Sequence, residues 1–297
     1  MSILQRFCLR SPLAGIVLCL ASCVSTPGLI RDQTLKAAVE TGFQAEVIDT
    51  PDFQLFSLRR TGPGKLLRIY LEGDGHAWQN RYRPSPDPTP HNPIALRLAI
   101  RDPSLFPIAY LARPCQYQPL PRQPACKPSL WTDERYGLAV IQAVNRGVND
   151  LKQRTGAEWV ELVGFSGGGT IALLVARGRQ DVVGVRTVAG NLAVAAFTQH
   201  HGVSPMSGSL DPVDFTDQLE KLPQLHALGA ADKVVPPELG QRYLEAFEQH
   251  RCIRLVVQTD AEHSKGWLEH WPGLLSQPWP CMPSPAHQDS ANFERTP

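Results

Sequence analysis

Gly164-Phe165-Ser166-Gly167-Gly168 places a serine between glycines two residues before and two residues after it. That spacing suits a tight turn from a strand into a helix. The serine there adopts a strained backbone conformation, which requires small neighbours two positions away. The turn lifts the hydroxyl off the sheet edge, and the N-terminus of the following helix favours negative charge developing beside it. A serine so placed can attack a carbonyl carbon once a base takes its proton. The bare string arises by chance, so context decides its meaning. Here Trp159–Val163 reads as a buried strand before it, and a segment carrying Ile171, Leu174 and Val175 inward reads as a helix after it.

Such a serine needs an acid and then a histidine, each following a later strand. Asp232 stands directly after Leu225–Leu228, in Gly229-Ala230-Ala231-Asp232. A carboxylate there can accept the imidazole N–H, fix its tautomer and stabilise the imidazolium; the plain alternative is a loop aspartate that caps the next helix. Asp211, Asp214 and Asp217 are weaker candidates, because no strand immediately precedes them. His263, in Ala261-Glu262-His263-Ser264, lies between the last strand and the final helix, whereas His270 and His287 come too late. An oxyanion needs two backbone N–H donors. Gly167 is the expected first, and the second is expected from Glu72-Gly73-Asp74-Gly75, where we choose the Asp74 amide with Gly73 and Gly75 as near alternatives. The side chains of Glu72 and Asp74 could instead simply shape that turn. Trp78 could wall an acyl pocket.

The elements that must position these groups alternate. Ala45–Asp49 and Phe53–Arg59 suggest an antiparallel pair at a sheet edge, and Leu66–Leu71 a buried strand running into the Glu72–Gly75 turn. A proline-studded loop spans Arg81 to Pro93, followed by a helix over Ile94–Ile100 and a strand over Pro107–Leu111. Leu138, Ile141, Val144, Val148 and Leu151 recur at spacings of three and four, which predicts an amphipathic helix with those residues on one face. Val182–Val188 and Ile253–Val257 complete the strands, a helix spans Glu238 to about His250, and the weakly patterned stretch from Gly190 to Leu222 is a candidate lid. This alternation predicts an α/β fold with a mostly parallel central sheet and helices on both faces.

With 42% apolar and 19% charged residues, the chain can bury a sizeable core, and its net charge of +1 gives no sign of a nucleic-acid partner. Residues 1–22 read as a secretory signal: Arg6 and Arg10, then an apolar run from Pro12 to Leu20, too short to cross a bilayer comfortably. The ending Leu20-Ala21-Ser22-Cys23 is similar to a bacterial lipobox, which implies cleavage before Cys23 and its lipidation. Residues 23–44 are then a lipidated N-terminus and tether, with Ser25 to about Lys36 leading into a short helix, 45–282 the folded domain and 283–297 a disordered tail. Four cysteines remain in an oxidising compartment. Cys115 and Cys126 bracket a proline-rich loop and are the expected pair, which leaves Cys252 with Cys281; buried free thiols are the alternative.

Over roughly residues 45–275 the chain resembles the α/β-hydrolase superfamily, and within it a group of bacterial lipoprotein hydrolases. The resemblance rests on LEGDGHAW (Leu71–Trp78), ARPCQY (Ala112–Tyr117), Trp131-Thr132, Arg135-Tyr136, GFSGGG, GAADKVVPP and EHSKGW. It implies an α/β-hydrolase fold and esterase, lipase or thioesterase-like activity on an acyl substrate, without metal or organic cofactor. Glu72 stands where many lipases carry the histidine of a His-Gly-Gly-Gly turn. The expected location is the bacterial cell envelope, preferably the outer membrane facing the periplasm. Acyl transfer to an envelope acceptor and a non-catalytic binding lipoprotein are the rival functions.

Overall fold

The computed structural model describes residues 28–117 and 123–281. The expected signal peptide, Cys23 and the 283–297 tail lie outside the described residues.

Ten strands are present among the described residues: β1 (Gln44–Asp49), β2 (Gln54–Arg60), β3 (Leu66–Leu71), β4 (Trp78–Asn80), β5 (Arg83–Pro84), β6 (Ile108–Leu111), β7 (Trp159–Phe165), β8 (Val182–Val188), β9 (Gln224–Gly229) and β10 (Ile253–Gln258). Eight form one sheet in the order β1-β2-β6-β3-β7-β8-β9-β10. β1 pairs antiparallel with β2, β2 antiparallel with β6, and the remaining neighbours run parallel. Parallel strands put their C-terminal ends on one edge, where ligand sites of such sheets gather. The turns after β3, β7, β9 and β10 therefore share that edge, and these are the turns that carry Asp74, Ser166, Asp232 and His263.

Eight α-helices are present among the described residues: α1 (Leu29–Glu40), α2 (Ile94–Ile100), α3 (Leu138–Thr155), α4 (Gly167–Ala176), α5 (Val194–His200), α6 (Thr216–Leu219), α7 (Pro237–Glu245) and α8 (Trp267–Leu275). Among the described residues, no helix is long and apolar enough to cross a membrane. Two apolar clusters cover the two sheet faces. One joins Leu67, Ile69 and Leu162 to Val144, Val148 and Leu151 of α3 and to α4; the other joins Tyr70, Tyr110 and Val163 to α2, α8 and Ala38 of α1.

The structure corrects the sequence reading at several points. The expected tether is in part α1, whose Ala38 is fully buried, so the folded domain begins before residue 45. The short helix expected to follow the tether starts earlier, at Leu29 rather than after about Lys36, with Leu29 and Ile30 exposed. Arg83–Pro84, inside the loop expected over Arg81–Pro93, pairs with Trp78–Asn80 in the small β4–β5 hairpin. Leu138 is exposed, and Val140, Ala143 and Gly147 join Ile141, Val144, Val148 and Leu151 on the buried face of α3. α7 ends at Glu245, short of the expected His250, although Phe247 still packs in the core. The 190–222 stretch holds α5, a 3-10 turn at Pro212–Phe215 and α6.

A buried ionic network also crosses the sheet. Arg68 of β3 bonds Asp102 and Glu161, each at 2.8 Å, and Glu161 of β7 accepts from Arg186 of β8 at 2.8 Å. Tyr70 donates to Asp102 at 2.6 Å and accepts from the Trp271 indole at 3.1 Å. Arg68 and Glu161 are direct cross-strand partners, so strand register places opposite charges together where either alone would be prohibitive.

Candidate active site

Ser166 ends β7 at φ 50° and ψ −122°, a left-handed conformation that costs a non-glycine residue on the order of 1–3 kcal/mol. Its surroundings enforce it. The Ser166 amide donates to the Val188 carbonyl at 3.0 Å, and the Ser166 carbonyl accepts from Gly169 at 2.9 Å and Asn191 at 3.1 Å. A Cβ on Gly164 would fall 2.4 Å from the Gly168 carbonyl oxygen, so the tight turn excludes any side chain there.

Asp232 follows β9 and is buried. Its Oδ1 accepts from the Val234 and Val235 amides, both at 2.8 Å, which leaves Oδ2 to accept from His263 Nδ1 at 2.9 Å. The carboxylate is thus aimed by backbone before it meets the imidazole. His263 follows β10, the parallel neighbour of β9, so acid and base leave adjacent strand ends. With its proton on Nδ1, His263 turns the Nε2 lone pair to Ser166 Oγ at 3.1 Å. The Phe165 ring lies 5.3 Å from the imidazole, and the Trp267 indole donates to the His263 carbonyl at 3.0 Å. The structure therefore brings together Ser166, Asp232 and His263. The other candidates serve elsewhere: Asp211 accepts from the Ala195 and Val213 amides at 2.7 and 3.3 Å, and His270 meets Asp260 at 2.8 Å.

The turn after β3 lies against the serine. Asp74 reaches the elbow itself, since a Cβ on Gly167 would fall 2.1 Å from Asp74 Oδ1. Of the alternatives for the second oxyanion donor, Gly73 is already engaged: its amide donates to Glu72 Oε1 at 2.9 Å. Among the described residues, neither the Asp74 nor the Gly167 amide donates to another protein group. The Asp74 side chain does more than shape a turn. It pairs with Arg113, with Arg135 at 2.7 Å, and accepts from the Tyr136 hydroxyl at 3.2 Å. Burial pushes its carboxyl up, but the Arg135 and Arg113 guanidiniums outweigh this and hold it below its ordinary value. Gln116 completes the brace, donating to the Gly73 carbonyl at 3.1 Å and accepting from the Arg113 amide at 3.1 Å. Arg113 and Gln116 flank Cys115, which is joined to Cys126, and a second disulfide joins Cys252 to Cys281. Sequence reasoning gave Arg113, Gln116, Arg135 and Tyr136 no role, although all four lie in motifs that carried the resemblance.

Glu72 is the unusual group of this turn. It is buried, its Oε1 accepts from Gly73 and, at 3.5 Å, from Ala95, and the Tyr110 hydroxyl lies beside the carboxyl. Burial pushes its carboxyl up to about 7. These elements enclose a cavity of about 490 Å³ over Ser166, whose apolar wall includes Trp78, Ile94, Phe165, Phe197 of α5 and Val234. Such a volume suits a small organic ligand or one acyl chain.

The central sheet, the sharp serine turn and the order of serine, acid and histidine define the α/β-hydrolase fold. Residues 132–264 match the family model described as Serine hydrolase (FSH1). Among solved structures, the chain is similar to an alpha-beta serine hydrolase homologue from Coxiella burnetii, at 18% identity and a TM-score of 0.51, over 78% of this chain and 95% of that one. It is also similar to Est1E from Butyrivibrio proteoclasticus, at 15% identity and a TM-score of 0.55, over 77% and 95% of the two chains. A Pyrococcus furiosus esterase aligns at 16% identity and a TM-score of 0.53, over 78% and 89%. A search of curated protein sequences finds no match. The partial family match and the shared fold support a serine hydrolase of the α/β-hydrolase superfamily.

Proposed function

We propose that the protein hydrolyses carboxylic esters or thioesters through an acyl-enzyme on Ser166. One observation carries this reading: the unbroken chain from Asp232 Oδ2 through both nitrogens of His263 to Ser166 Oγ, with two undonated amides beside it. Ser166 Oγ attacks the acyl carbon while His263 Nε2 takes its proton and Asp232 stabilises the imidazolium. The carbonyl oxygen becomes an oxyanion facing the Gly167 and Asp74 amides. His263 returns the proton to the departing alcohol or thiol. Water then attacks the acyl-enzyme, gives its proton to His263, and frees the acid and Ser166. Ser166→Ala is expected to lower kcat by roughly four to six orders of magnitude against p-nitrophenyl esters of graded chain length, and to abolish labelling by a fluorophosphonate. Labelling that persists in the alanine variant places the nucleophile elsewhere.

The same proposal places the enzyme in a bacterial envelope, held by acyl chains on Cys23, preferably at the outer membrane and facing the periplasm. The Leu20-Ala21-Ser22-Cys23 sequence supports it. Palmitate is expected to enter the wild-type chain and not Cys23→Ala; palmitate entering both refutes it.

A further inference from the structure

The most exposed aromatic side chain among the described residues, Tyr82, sits on a hairpin whose Trp78 lines the cavity. Residues 78–84 read Trp-Gln-Asn-Arg-Tyr-Arg-Pro, with three consecutive basic or aromatic residues at the hairpin tip and no acid. Tyr82 is 84% exposed and Trp78 40% exposed, and Trp78 also lines the cavity. Arg81 lies over the Tyr82 ring at 5.9 Å, and both Arg81 and Arg83 are exposed. The hairpin is a built feature. Asn80 Oδ1 accepts from the Tyr82 and Arg83 amides at 3.0 and 3.1 Å, and Ser85 ties its base to Ala77 at 2.9 Å and accepts from the Trp131 indole at 3.1 Å.

α1 packs on α2, whose Ile94 lines the cavity, and Leu29 and Ile30 at the start of α1 are about half exposed. Cys23 stands six residues before Leu29, so an acylated Cys23 is within a chain length of roughly 20 Å of the start of α1. Tryptophan and tyrosine favour the boundary between headgroups and acyl chains, and arginine beside them favours anionic headgroups.

We propose that the hairpin of β4 and β5, with the start of α1, docks the cavity mouth onto an anionic phospholipid bilayer, and that the substrate is an acyl lipid entering from that surface past Trp78. The docking stands on the surface alone; the substrate rests on the hydrolase reading above. Apolar groups at the rim enter the interface while Arg81 and Arg83 meet headgroup phosphates. Removing two such charges is expected to weaken contact by about 25-fold, at roughly fivefold each.

The full-length Ser166→Ala chain, reconstituted in vesicles, separates docking from catalysis. Amide hydrogen exchange over residues 78–84 is expected to slow at least several-fold on phosphatidylglycerol-containing vesicles and not on phosphatidylcholine alone. Leu105, 80% exposed just before the N-terminal end of β6 at the opposite sheet edge, reports non-specific adsorption and is expected to stay unchanged. Equal exchange on both vesicles, or protection centred on Leu105, overturns the docking. In the active chain, combined Arg81→Gln, Tyr82→Ser and Arg83→Gln is expected to lower hydrolysis of vesicle-borne acyl lipid at least tenfold while leaving a soluble p-nitrophenyl ester unchanged. Equal losses on both substrates overturn entry from the bilayer. Absence of hydrolysis of either substrate by the active chain overturns the hydrolase reading and leaves the exchange result standing.

Discussion

Glu72 offers a direct measurement of what the site costs the fold. Its carboxyl is buried in the turn beside Ser166, with one oxygen accepting from backbone amides. Burial raises it from 4.5 to about 7. At low pH the acid is neutral in both folded and unfolded chains. Between those two values the folded chain keeps a proton that the unfolded chain has released, so the stability contributed by this group falls as pH rises and levels off above about 7. Converted at 1.36 kcal/mol per unit, the loss is about 3 kcal/mol. Glu72→Gln removes the titration while keeping an oxygen for the Gly73 and Ala95 amides; its new amide nitrogen adds a cost that does not depend on pH. Urea unfolding of both proteins from pH 4 to 8.5 is the assay. Relative to wild type, the variant is expected to gain about 3 kcal/mol across that range, equivalent to roughly 5–10 °C in Tm for a chain of this size. Parallel stability curves would show that Glu72 stays ionised in the folded state, and would refute the account of its burial.

Other perturbations test separate links. Asp232→Asn keeps the shape but removes the acceptor that sets the His263 tautomer, so kcat is expected to fall by roughly 10⁴-fold in steady-state assays with folding unchanged. Glu161→Gln strips the shared partner from Arg68 and Arg186 and is expected to cost about 3–5 kcal/mol in denaturant unfolding; a loss below 1 kcal/mol would mean the network is not closed. Reducing the Cys115–Cys126 disulfide frees a bridge of sequence separation 11, expected to stabilise by roughly 2–3 kcal/mol. Because Arg113 and Gln116 hold the Glu72–Gly75 turn, activity is expected to fall before far-UV circular dichroism does.

The parts of this molecule that were legible in its sequence are those governed by local rules. A strand, a turn too tight for side chains and a helix are written in consecutive residues, so Ser166 could be placed with its two flanking elements. Asp232 and His263 followed because a parallel sheet delivers successive strand ends to one edge. What was not legible depends on distance in sequence. Arg113 and Arg135 are 39 and 61 residues from Asp74, and no periodicity announces that two guanidiniums will converge on one carboxylate. The Asp74 side chain could therefore be read as simply shaping its turn, although it pairs with both Arg113 and Arg135. The same logic explains the hairpin. β4 and β5 leave Trp78 and Tyr82 exposed, so they do not show the alternation that marks a buried element. Periodic burial reports the core, and residues that face a substrate or a surface are selected for something else. Trp78 is such a residue: it is exposed on the hairpin and also lines the cavity over Ser166.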